Sequence, residues 1–300
     1  MNKNIDLSSK TPTDFQLYRY QLSVIANRPP NLIGDNPSDE ELKEQRNAFM
    51  REMLHKLPET EYNKWKVRFT PWHSQKDDNQ FLFLMEASRP KSVVQDFQKK
   101  MVANTPYVWL AIDTHDQYQT IAIEQGKEIS PERVVCKLTM LLQDQAKQRG
   151  YTLIINSIKN SQSFWDYVKA NNGELSAVRF TISPPNLPDL SKCIGEDMRD
   201  FIGSIGGGEG RFETVARKGE VLNLSESNQK LSKLVKFADM GGGAYYFRRK
   251  NSQRIDTPKH IVRTVTAAPV DEKTLIPEAI DAPKSIFTKI RNMLTSWWDE

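Results

Sequence analysis

A chain of 300 residues with 38% apolar and 27% charged side chains can bury one large core or two ordinary ones. Its 42 basic and 38 acidic residues leave a net charge of only +4, so the overall balance alone selects no class of partner. Residues 1–10 are polar and lack a signal-peptide core, and no apolar run approaches the roughly 18–20 residues of a membrane span, so the expected location is cytoplasmic.

Residues 15–24 alternate as an opening strand, with Tyr18 and Tyr20 on one face. Pro29-Pro30 and Gly34 break the pattern. Ser38 and Glu41 form a capping box, and Leu42, Phe49, Met50, Met53 and Leu54 give the following helix an apolar stripe. Residues 64–70 and 80–86 predict two strands joined by the polar loop Lys76-Asp77-Asp78-Asn79. Val93, Val94, Phe97 and Met101 predict a short amphipathic helix. Residues 107–113 predict a strand, and residues 118–123 pair with it as a hairpin.

Ser130-Pro131-Glu132-Arg133 opens the longest helix, which carries Val134, Val135, Leu138, Leu141 and Leu142 and ends at Gly150. A strand over 152–155, a short helix over 164–168 and a strand over 177–182 follow. Cys136 and Cys193 lie among apolar neighbours in helical stretches; they allow a single disulfide, but two buried thiols in a reducing compartment fit better. Neither belongs to a CxxC or Cys/His cluster, so neither a metal nor a cofactor is expected.

Pro184-Pro185 and Pro188 mark the best domain boundary. Cys193, Ile194, Met198, Phe201, Ile202 and Ile205 then define a helix stopped by Gly206-Gly207-Gly208. Residues 212–216 and 220–224 read as a hairpin around Lys218-Gly219. Leu231, Leu234, Val235 and Ala238 predict a helix ended by Gly241-Gly242-Gly243, and residues 244–250 a last strand. The fold class is α+β. A mixed-sheet domain covers 14–184, a smaller basic α+β domain 185–250, a flexible linker 251–284, and an amphipathic docking helix 285–300.

Charge is unevenly distributed. Residues 211–263 hold about twelve basic against about five acidic side chains. Arg211 opens this stretch, Arg217 and Lys218 occupy the predicted turn, and Lys230, Lys233 and Lys236 recur along one helix flank. Tyr245, Tyr246 and Phe247 run into Arg248, Arg249 and Lys250. Basic groups release counterions from phosphates and aromatic rings stack on bases, so these nine cations are the candidate nucleic-acid contacts. The bland alternative is a solvated lysine face with its aromatics buried in the sheet.

Both glycine triplets follow helices and precede strands, the reverse of a phosphate loop, and read as helix stops. Asp113, His115 and Asp116 with Glu124 to Lys127 make the one candidate for metal-dependent cleavage, but Glu124 and Lys127 are one residue too far apart for the D/E-x-K pattern. His55, His73, His115 and His260 are scattered, so no catalytic residue is assigned. In the last helix Ile286, Phe287, Ile290, Met293, Leu294, Trp297 and Trp298 form one apolar face. That face suits a membrane interface, a partner's groove or the protein's own body; Asp299 and Glu300 disfavour anionic lipid, which leaves Phe287, Ile290, Leu294, Trp297 and Trp298 as protein-docking residues.

Leu17-Tyr18-Arg19-Tyr20-Gln21-Leu22, Phe81-Leu82-Phe83, the strand over 107–113 and Arg217-Lys218-Gly219-Glu220-Val221-Leu222 together resemble RexA-like prophage exclusion proteins and, more distantly, KwaB-like anti-phage defence proteins. The resemblance covers residues 15–250 and implies a DNA-binding homo-oligomer acting in abortive infection or phage sensing. The resulting expectation is a non-catalytic, sequence-tolerant nucleic-acid binder, with DNA as the favoured partner. A protein–protein adaptor recruited through its last helix is the alternative, and a metal-dependent nuclease the weaker one.

Overall fold

The computed structural model describes residues 13–25, 28, 37–59, 67–71, 77–88, 90–126, 128–160, 162–183, 209–256, 262–267 and 281–299. In chain order they begin with β1 (Thr13–Val24), α1 (Asp39–Lys56), a 3-10 turn at Leu57–Glu59, β2 (Val67–Pro71), β3 (Gln80–Ala87), β4 (Lys91–Gln95) and β5 (Gln98–Val102). Then come β6 (Tyr107–Asp113), β7 (Thr120–Glu124), α2 (Pro131–Gln148), β8 (Tyr151–Ser157), α3 (Gln162–Ala170) and β9 (Leu175–Ile182). Last are β10 (Gly210–Val215), α4 (Gln229–Phe237), a π-turn at Ala238–Gly242, β11 (Gly243–Arg249), β12 (Ile255–Asp256), β13 (Thr264–Ala267) and α5 (Asp281–Asp299). The fold is α+β. No helix among the described residues is long and apolar enough to cross a membrane.

The chain divides into two compact units, each assembled from separate stretches: residues 1–16, 51–137 and 264–300 in the first, residues 17–50 and 138–263 in the second. It does not divide at Pro184-Pro185. Strand β9 lies before the prolines and pairs with β10 and β11 beyond them, so one sheet spans the expected boundary.

In the first unit the strand order is β13-β1-β7-β6-β3-β2, with β1 entering through its opening residues. Phe81 to Met85 and Val108 to Ile112 are buried without interruption, because these central strands are covered on both faces. β13 pairs antiparallel with the start of β1, Phe15 opposite Val265, so the expected linker contains sheet; β12 is a second short strand within it. Helix α5 buries Ile286, Phe287, Ile290 and Leu294 and packs on β13 and β6 of its own unit. Lys289 Nζ donates to the Thr266 carbonyl at 2.8 Å. β4 and β5 form a separate two-stranded hairpin where a helix was expected. Its apolar residues alternate as readily with period two as with a helical period, and Asp96-Phe97 supplies the turn, with both φ angles positive.

In the second unit the body of β1 pairs with β8, and β10-β9-β11-β12 form the other sheet. Helix α1 starts as the sequence predicts: Ser38 N–H donates to Glu41 Oε2 at 2.7 Å and Glu41 N–H to Ser38 Oγ at 3.2 Å. Phe164 of α3 packs against Phe180, Tyr245 and Phe247 with ring centroids 4.9–6.0 Å apart, which fills the core under the second sheet. The Lys218-Gly219 turn is present, but residues 220–224 form no strand. Ala216 and Leu222 both donate backbone bonds to β9, at Ser176 and Leu175, so β10 takes β9 as its partner.

Cys136 is exposed, contrary to the expected buried thiol: α2 buries Val134, Leu138, Leu141 and Leu142, and Cys136 lies on the other flank. Cys193, the helix predicted after it and Gly206-Gly207-Gly208 lie outside the described residues, as do His73 and His260.

Candidate nucleic-acid interface

Alternation along β9 and β11 sorts their side chains onto two faces. Val178, Phe180, Ile182, Tyr245 and Phe247 point into the core with α3. Arg179, Thr181, Ala244, Tyr246 and Arg248 point the other way. Register then builds rows across that open face. Glu213 lies opposite Arg179, which lies opposite Tyr246; Val215 lies opposite Ala177, then Arg248, then Ile255. Val215 and Ile255 are 56% and 46% exposed, unusual for apolar strand residues. A shallow depression lies between Arg179, Tyr246, Arg248 and Ile255.

Glu213 sits between two guanidinium groups. Arg179 donates to it at 2.9 Å and Arg248 approaches to 3.5 Å. Arg211 pairs with Glu209 at 2.9 Å. All of these groups are partly exposed, so each pair stabilises the fold by only about 0–1 kcal/mol and a phosphate can replace the carboxylate. Arg249 is different. Its Nε donates to Asp256 Oδ2 at 2.7 Å, and Tyr167 Oη donates to the same oxygen at 3.1 Å. The hydrogen bond from Arg249 holds the Asp256 carboxyl below its ordinary range, and the same bond raises Arg249.

The structure brings two of the three predicted basic groups together. Lys250 Nζ donates to the Gly219 carbonyl at 2.8 Å, which draws the Arg217-Lys218 turn to the end of β11 beside Arg248 and Arg249. The third group stands apart: α4 leads through Ala238–Gly242 into the start of β11, the opposite end. On α4, Lys230 and Lys233 are exposed and Lys236 is half-buried. Arg217, Lys218, Lys230 and Lys233 have no acidic partner among the described residues. Of the three aromatics, only Tyr246 reaches the open face. Arg179 is absent from the clustered charge of the sequence because it stands alone there; the alternation Val178-Arg179-Phe180-Thr181-Ile182 is the signal that marks it.

Among the described residues the nuclease constellation is not brought together. Asp113 lies opposite Thr120, whereas Glu124 is at the far end of β7, roughly 13 Å along the strand. Burial pushes the Glu124 carboxyl up, opposed by the Trp109 N–H that donates to it at 2.9 Å. Lys127 lies outside the described residues. Asp113 instead accepts bonds from Arg291 Nε of α5 at 2.9 Å and from the His115 N–H at 3.1 Å, with His115 Nδ1 at 2.7 Å. Arg291 also stacks over Tyr118, 5.0 Å from the ring centroid. Nearby, burial raises the Asp77 carboxyl, but the Asn79 amides and the charges of His115 and Arg291 outweigh it and leave the group lowered.

A family model described as Domain of unknown function (DUF4747) matches residues 104–280, more than half of the chain. The chain belongs to the DUF4747 family. No curated protein and no solved structure matches it. The DUF4747 match contains the whole open face of β9–β11, the Arg217-Lys218 turn and α4; the β4–β5 hairpin and α5 lie outside it. Of the predicted docking residues of this DUF4747 chain, Phe287, Ile290 and Leu294 are covered by its own first unit. The side chains of Trp297 and Trp298 lie outside the described residues.

Proposed function

We propose that this DUF4747 protein binds nucleic acid, DNA foremost, through the open face of its β10-β9-β11-β12 sheet, without acting on it chemically. The observation that carries this reading is the row Glu213–Arg179–Tyr246 beside Arg248. A ring and two guanidinium planes share one side of an antiparallel sheet, where bases can stack and phosphates can displace Glu213. The Arg217-Lys218 turn and Lys250 extend the basic surface at one end. A flat strand face suits an unpaired strand better than a duplex groove, so single-stranded DNA is the expected favourite. Resemblance to prophage exclusion and anti-phage proteins supplies the setting we propose, bacterial defence against phage.

The test is a salt-titrated binding series with single- and double-stranded DNA and RNA. Tyr246→Ala should weaken single-strand binding by about 1–3 kcal/mol with little change in salt slope. Arg179→Gln with Arg248→Gln should weaken it and flatten the slope by about 0.7 for each phosphate no longer neutralised. Lys99→Glu with Lys100→Glu, in the first unit, is the control and should change neither. If the sheet-face variants bind as the parent does, the open face is not the interface. A parent chain that binds none of the four probes refutes the function itself.

A further inference from the structure

The β4–β5 hairpin forms a sheet of its own within the first unit, pairing with none of its other described strands. Val94 is 72% exposed, Phe97 104%, Met101 66% and Val102 47%, and Tyr107 just beyond its base is 50% exposed. A lone two-stranded ribbon with both faces wet is marginal in water. Its turn adds to the cost: Asp96 and Phe97 have φ of 52° and 58°, and the second position ordinarily calls for glycine. A phenylalanine in a left-handed conformation with its whole side chain in solvent contributes nothing to this fold.

The two edges of the ribbon differ. β5 carries Lys99 and Lys100, charges that guard an open edge against pairing. The middle of β4 is Ser92-Val93-Val94, with no guard. The two-residue turn makes Gln95 and Gln98 the first hydrogen-bonded pair, so Ser92 and Val94 direct their backbone N–H and C=O groups away from β5. Two copies of β4 placed antiparallel about Val93 bring Ser92 of each opposite Val94 of the other. All four outward groups on each strand then find partners. This register alone pairs all five residues of β4, and it sets Gln95 opposite Lys91 at both ends.

Side chains agree with the backbone. Val93 meets Val93 at the two-fold axis, and Met101 lies beside Ser92, next to Val94 of the second copy. Asp96 of one copy falls beside Lys91 of the other. Their present partners are exposed: Lys100 at 4.0 Å from Asp96, and Glu128 at 3.4 Å from Lys91. The exposed Phe97 of each tip falls at the end of the paired ribbons that carries Lys91 of the opposite copy. Pairing through β5 would instead set lysines against lysines. We infer that a second copy of this chain docks on β4, joining the two hairpins into a four-stranded sheet β5-β4-β4-β5 across a two-fold axis. A ribbon of this length buries less than the roughly 800 Å² per partner of a standard interface, so the dimer dissociates on the order of micromolar concentrations.

The experiment is sedimentation of the full chain over a concentration series, with Val93→Lys, Val93→Glu and an equimolar mixture of the two. The parent should pass from monomer to dimer. Each single variant should associate more weakly by roughly tenfold or more, because like charges then face each other at the axis. The mixture should recover a heterodimer. Val93 is half-buried on a ribbon whose other residues are exposed, so both variants should keep the parental circular dichroism and melt close to the parent. A parent that stays monomeric overturns the inference, as does a Val93→Lys chain that still dimerises or a mixture that fails to. Binding of single-stranded DNA by a monomeric variant separates this surface from the sheet face proposed above.

Discussion

Asp239 makes stability depend on pH in a direction opposite to that of most carboxylates. The residue is wholly buried in the π-turn; Tyr245 Oη donates to its Oδ1 at 3.0 Å, and Oδ2 has no hydrogen-bond partner among the described residues. Burial pushes the carboxyl up from 3.8 to about 7, only partly offset by the Tyr245 hydrogen bond and the charges of Lys159 and Arg263. Lys159, itself buried with Nζ 5.0 Å from the Tyr245 ring centroid, is lowered by burial, opposed by the charge of Asp239. Because the folded value lies above the unfolded one, the stabilising contribution of the protonated acid is full below pH 4. It is lost as pH rises towards 7 and is gone beyond it. A displacement of that size corresponds to about 4 kcal/mol. Urea unfolding of the parent and of Asp239→Asn, at intervals from pH 4 to pH 8, measures it. The two should be nearly equal at pH 4, and the variant should lead increasingly above pH 5, by a few kcal/mol at pH 8. A difference that stays constant across the range would refute the reasoning.

Arg291→Met should cost about 2–4 kcal/mol in urea unfolding, because it leaves the buried Asp113 carboxylate without its guanidinium partner. Faster hydrogen exchange in α5 should accompany the loss; unchanged exchange would show that the helix is held by its apolar face alone. Gly243→Ala should destabilise by several kcal/mol, since a methyl group there overlaps the Thr181 carbonyl on the neighbouring strand, and a variant melting with the parent would contradict that overlap. Ser38→Ala should cost about 1 kcal/mol by removing half of the α1 capping box, and a loss below a few tenths would make the box dispensable.

Local signals in the sequence are legible where local physics decides the outcome. Ser38 and Glu41 start α1, Gly150 ends α2 with a positive φ, and the apolar runs of β3 and β6 form central strands. Departures from the sequence expectation cluster where the deciding partner is remote. The pairing of Thr264–Ala267 with the head of β1 leaves no trace in a four-residue segment flanked by prolines. Arg291 meets Asp113 across 178 residues. The β4–β5 hairpin is hidden because its turn lacks the glycine or asparagine that announces one, leaving four apolar residues open to either period. For the candidate interface, the arginine and lysine runs after Tyr246 are legible, but their pairing with Glu213 and Asp256 is not. Arg179 becomes visible only when register places it between Glu213 and Tyr246.

The bond between Thr266 Oγ1 and Asp14 Oδ1 joins residues 252 positions apart, at the seam where β13 closes over β1. The head of β1 gains that neighbour only from a segment 252 positions further along, so the sheet of the first unit closes only after residues 17–263 have been made. A nascent chain interrupted before residue 264 would carry a finished second unit and an open strand edge on the first, the state in which aggregation and proteolysis compete with folding. Expression of forms truncated before residue 264 should therefore yield insoluble material, however innocuous the polar stretch before β13 looks as a cutting site.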